Sequence, residues 1–91
     1  MRTIMRWKFT LHPKLSPEHE LEMPKGAEIL SVREFGSETC LWALADPSAV
    51  KEPRLFIGIW PGDNIHDISL KFIGTVYLNG ELDPVHIFED S

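Results

Sequence analysis

Polar and apolar positions alternate with a period of two along most of the chain, and that alternation predicts short strands. Between residues 3 and 11, Met5, Trp7, Phe9 and Leu11 share one parity, with Arg6, Lys8 and Thr10 on the other. Such a pattern describes a half-buried strand with a wet outer face. The prolines of His12-Pro13-Lys14-Leu15-Ser16-Pro17 end it, since proline has no amide for a ladder. A short segment over His19–Pro24 follows, with Leu21 and Met23 inward and Pro24 marking an edge strand or a strand end. From Glu28 to Phe35 the pattern loosens, with Leu30 and Val32 on one face and Ile29 on the other. Gly36-Ser37 then offers the positive-φ positions of a tight hairpin turn. Beyond it, Cys40, Trp42 and Leu44 point one way while Leu41, Ala43 and Ala45 point the other. A strand apolar on both faces belongs in the middle of a small protein, so Trp42 is expected in the core.

Asp46-Pro47 closes that strand, and a polar loop leads to a fifth over Arg54–Trp60. Gly58 inside it predicts a bulge or a close backbone approach. Pro61-Gly62-Asp63-Asn64 is the strongest breaker in the chain, and Asp63 is read as the cap of a short helical turn carrying Ile65 and Ile68. A sixth strand is expected over Lys71–Leu78, a hairpin signal at Asn79-Gly80, and a seventh strand from about Glu81 to Phe88, interrupted at Pro84. The fold class that results is all-β, a single domain over residues 1–91. It is drawn as a small antiparallel meander of about seven short strands, curled or closed into a partly open barrel.

Length and charge narrow the function. Ninety-one residues leave room for one modest core, which favours a homo-oligomer. A net charge of −5 argues against general nucleic-acid binding, which needs clustered Lys and Arg. The basic residues gather early (Arg2, Arg6, Lys8, Lys14) and the acids late (Glu81, Asp83, Glu89, Asp90). That asymmetry would support pairing of the first and last strands if they were neighbours, and otherwise marks two solvated faces. No apolar run approaches the roughly 20 residues of a membrane span. The opening Met-Arg-Thr-Ile-Met-Arg-Trp-Lys has no apolar stretch behind it, so no secretory signal is expected and the compartment is read as cytoplasmic. The single cysteine, Cys40, is expected as a reduced, buried thiol.

Catalytic patterns are not found. His12, His19, His66 and His86 lie in four separate segments without metal-ligand spacing. Asp63-Asn64-Ile65-His66-Asp67 is the nearest thing to a cation loop, but a turn that caps its own backbone explains the same letters. There is no Gly-x-Ser-x-Gly elbow and no phosphate loop before a helix. The expectation is therefore a protein that binds and does not catalyse, with no cofactor and no metal. Trp60, at the mouth of the 58–66 loop, either stacks on a ring or folds over the end of the sheet. A ligand site is assigned to Trp60 for stacking, Arg54 and Lys71 for charge, and His66 for a polar edge contact.

Pro24-Lys25-Gly26-Ala27-Glu28-Ile29-Leu30-Ser31-Val32, Cys40-Leu41-Trp42-Ala43-Leu44-Ala45-Asp46-Pro47, Ile73-Gly74-Thr75-Val76 and Val85-His86-Ile87-Phe88-Glu89 occur here in that order. In this the chain, from about Ile4 to Glu89, resembles an uncharacterised family of small proteins of tailed phages and their bacterial hosts. Members of that family often have a Gly-Thr-Gly-His-Pro type loop where this chain has Gly58-Ile59-Trp60-Pro61-Gly62. The resemblance implies a phage or prophage accessory protein in the bacterial cytoplasm and transfers no catalytic residue. Sequestration of a nucleotide-type signalling ligand, as a counter-defence, is the first expectation. An acidic inhibitor covering a basic patch on a host defence protein is the alternative, and the charge of −5 favours it. A structural or regulatory phage component is the third.

Overall fold

The computed structural model describes residues 1–12, 17–65, 69–80 and 84–90. Seven strands lie among them: β1 (Thr3–Thr10), β2 (Glu18–Pro24), β3 (Glu28–Phe35), β4 (Glu38–Ala45), β5 (Lys51–Ile59), β6 (Leu70–Val76) and β7 (Val85–Asp90). Every pairing is antiparallel. The strands divide between two sheets, β1-β4-β3 and β2-β5-β7-β6, and do not close into a barrel. The all-β antiparallel architecture follows the alternation; the connectivity does not follow a meander. Two sheets that each carry one apolar face bury them by stacking, and which strands become neighbours is decided by distant pairings that alternation does not encode. β1 and β7 fall in different sheets, so the basic start and the acidic end of the chain are not strand neighbours.

β4 is the middle strand of its sheet, as its two apolar parities require. Leu41, Ala43 and Ala45 turn inward and pack in one cluster with Met23 of β2, Phe56 of β5 and Ile87 of β7, all essentially inaccessible. Phe9 of β1 reaches across the stack, its ring 5.2 Å from that of His19 and 6.4 Å from that of Phe56. The seams between sheets are tied locally. Trp7 donates from Nε1 to the carbonyl of Glu22, 3.3 Å away, joining β1 to β2. On the other flank β3 lies against β6 so closely that a Cβ at Gly74 would stand 2.5 Å from Val32 Cγ1.

Gly36-Ser37 forms the expected two-residue turn, with Phe35 opposite Glu38 and Gly36 at φ 63. β3 differs from its sequence reading. The register shifts between Ile29 and Ser31, leaving Leu30 as an extra residue. Past this bulge the parity reverses: Ile29 joins Val32 against the core, and Leu30 is turned out to solvent. Gly58 marks a close approach without a bulge, because β5 pairs in regular register on both sides. A Cβ there would meet Leu11 Cδ1 at 2.9 Å. Asp63 does not begin a helical turn at its described neighbours. Its carboxylate instead accepts from the Trp60 amide at 2.9 Å, while its own amide donates to the Trp60 carbonyl at 3.0 Å. Ile68 and residues 81–83, where the seventh strand was expected to start, lie outside the described residues.

Candidate functional site

The outer face of the three-stranded sheet is built from cross-strand rows. The β1–β4 and β3–β4 registers place Arg6 and Ser31 on either side of Trp42, and Lys8 and Arg33 on either side of Cys40. Ile4 lies beside Leu44 in the next row, and Phe35 beside Glu38 at the opposite end. Trp42 therefore does not enter the core. β4 has to send alternate residues to each side, and the inward side takes the small Ala43 and Ala45 that the close stack accommodates. Trp42 lies half-buried on the outside, edge-on to Phe35 with ring centroids 6.3 Å apart. Cys40, at an outward-facing position between Lys8 and Arg33, is only 2% exposed.

This face is basic, although the chain is acidic. Arg2, Arg6, Lys8 and Arg33 stand on it against Glu28 and Glu38. Lys8 is 3.7 Å from Glu38, and Arg2 is 3.8 Å from Glu28, both exposed pairs that contribute little. Arg6 and Arg33 form no ion pair among the described residues. Ile4, Leu30, Arg33 and Trp42 line an open groove of about 500 Å³, and Arg6, Lys8, Phe35, Glu38 and Cys40 line a smaller hollow of about 210 Å³. An aromatic pair between cations can hold a flat ring by stacking and an anion by charge-assisted hydrogen bonds.

The residues assigned from sequence do not meet in one described cavity. Arg54 projects from the inner side of β5. Its Nη2 donates to Glu89 Oε1 at 2.7 Å, its Nε to Oε2 at 2.5 Å and its Nη1 to the Ala27 carbonyl at 2.6 Å. The hydrogen bonds to Glu89 push the guanidinium above its ordinary range, against the opposing effect of burial. The hollow beside it, about 460 Å³, is also walled by Glu52, Glu89 and Asp90, which repel an anion. Trp60 packs against the core and lines a separate hollow of about 260 Å³ with Leu11, His12 and Asn79. Lys71 is exposed on β6, opposite Glu89. His66 lies outside the described residues.

Arg6, Arg33 and Phe35 carry no motif, which is why the sequence did not single them out. One signal was present: a two-residue turn at Gly36-Ser37 fixes Phe35 opposite Glu38, and so brings Arg33 opposite Cys40, next to Trp42.

Among the described residues, no group of three or more His, Cys, Asp or Glu side chains is placed to hold a metal ion, and no helix is long and apolar enough to cross a membrane. No curated protein and no solved structure matches the chain. A family model does match over residues 1–91, and the chain belongs to that family, a domain of unknown function designated DUF7352.

Proposed function

We propose that the protein is a non-catalytic capture module that holds a nucleotide-type ligand on the outer face of the three-stranded sheet. The observation that carries this reading is the Trp42–Phe35 pair, set between Arg6 and Arg33. A base stacks on the exposed side of Trp42, and its phosphate takes Arg33 or Arg6. Stacking of this kind contributes about 1–3 kcal/mol per base, which suits a face too open for deep burial. The net charge of −5 would oppose an anion, but this surface carries Arg6 and Arg33 in excess over the Arg2–Glu28 and Lys8–Glu38 pairs. In the phage setting that the sequence resembles, such a face withdraws a signalling nucleotide from a host defence. Capture of a basic host protein by an acidic surface is the second reading, favoured by the overall charge.

Calorimetric titration with a panel of mono- and dinucleotides, and inorganic phosphate as a control, tests the site. A nucleotide should bind more tightly than phosphate, and Trp42→Ala should weaken it about tenfold or more. Trp60→Ala, on a separate hollow, should leave the affinity unchanged. The reading falls if no nucleotide binds the folded protein, or if Trp42→Ala binds as the parent does.

A further inference from the structure

The opposite broad side of the molecule, the outer face of the four-stranded sheet, is also apolar at its centre. The registers place Leu55, Ile57 and Ile59 of β5 outward, with Phe88 of β7 beside Ile57 and Phe72 of β6 beside Phe88. Phe72 is 55% exposed and meets Phe88 edge-on at 5.5 Å. A solvated sheet face ordinarily alternates to polar residues, so this row of aliphatic and aromatic side chains is built to be covered. Its rim is acidic: Glu18, Glu20 and Glu22 run along the β2 edge and Asp90 ends β7. Lys51, at the start of β5, is the one cation among its described positions.

The chain thus has two apolar outer sheet faces, one carrying Arg2, Arg6, Lys8 and Arg33 against Glu28 and Glu38, the other Glu18, Glu20, Glu22 and Asp90 against Lys51. We propose that the acidic face of one copy docks on the basic face of a second copy. Charge complementarity selects this occupant, because the matching cationic, apolar-centred surface is carried by the chain itself. Size permits it. The Cα extents are 41 × 28 × 19 Å, and a standard interface takes about 800 Å² from each partner. The contact joins unlike surfaces, so repetition builds an open stack or a ring and not a two-fold dimer. It shares the Trp42 face with the proposed ligand site, so ligand and second copy compete there.

Sedimentation velocity without nucleotide tests this, and failure of nucleotide binding leaves the test untouched. The parent protein should exceed its 10.4 kDa monomer mass and grow past a dimer with concentration. Ile57→Asp spoils the acidic face and Arg33→Glu the basic one, so each variant alone should be monomeric. Mixed in equal amounts they should form a one-to-one pair, since each retains the face the other has lost. Circular dichroism verifies folding, and Phe72→Asp replaces Ile57→Asp if that variant does not fold. A parent that stays monomeric to about 1 mM, a parent that stops at a fixed dimer, or a mixture that remains monomeric overturns the proposal. Association of the parent only after a basic host protein is added also overturns it, in favour of a foreign partner.

Discussion

Glu89 holds the guanidinium of Arg54 in a two-pronged grip, with Oε1 and Oε2 each accepting one of its N–H groups. The side chains are only 17% and 13% exposed, so this pair joins β5 to β7 in a partly dry setting. Arg54 also carries the Ala27 carbonyl, which ties the chain just before β3 to the four-stranded sheet.

Removing one member leaves the other charge poorly solvated. Glu89→Ala should lower unfolding free energy by about 3 kcal/mol, at the low end for buried pairs because the hollow beside it is open to water. Replacing both residues with apolar ones, Arg54→Met with Glu89→Leu, should recover most of that loss. Urea unfolding of the three proteins measures it, and equal losses in single and double variants would contradict the assignment.

Gly74 is required by sterics and not by backbone conformation. With Val32 Cγ1 at 2.5 Å from the position a Cβ would take, Gly74→Ala forces β3 and β6 apart. The expected cost is about 1–3 kcal/mol, as for other overpacked sites. Val32→Ala in the same chain should relieve part of it, a coupling that a double-mutant cycle on thermal unfolding detects.

Asp46 gives a pH signature at the end of β4. The Ser48 hydroxyl at 2.7 Å and the Ser48 amide at 3.0 Å both donate to Oδ1, and these bonds hold the carboxyl below its ordinary range. A folded pKa below the unfolded one means that the folded state binds fewer protons. The contribution is therefore present above the unfolded pKa and is lost as pH falls through the folded one. Ser48→Ala should move the Asp46 titration, followed by NMR, upward toward an unperturbed carboxylate. An unmoved titration would show that the hydroxyl does not set it.

Alternation was enough to find β4 and its place in the middle of a sheet, and turn chemistry to find the Gly36-Ser37 turn, because these depend on neighbours in sequence. It could not find which sheet each strand joins. β5 is apolar on both parities, so nothing in its letters tells that Arg54 points inward to Glu89 while Leu55 and Ile57 point out. The candidate site was hidden for a related reason. Trp42 with its apolar neighbours read as core, and its partners Arg6 and Phe35 come from two other strands. The β3–β4 half of that meeting follows from a local turn. The β1–β4 half rests on pairing of residues more than thirty positions apart, such as Arg6 with Trp42, which no short-range rule supplies.

The extra residue at Leu30 has a consequence for how this family can vary. Upstream of it the strand runs in the opposite phase from the segment leading to the hairpin, so Ile29 and Val32 both lie inside. Removing Leu30 itself would leave Glu28 and Ile29 on the faces they now occupy, because Ile29 and Ser31 would then follow one another in plain alternation opposite Ala43 and Trp42. The bulge is therefore a place in β3 where the loss of one residue needs no swap of oily and charged letters, whereas a loss in the regular segment between it and Gly36 does.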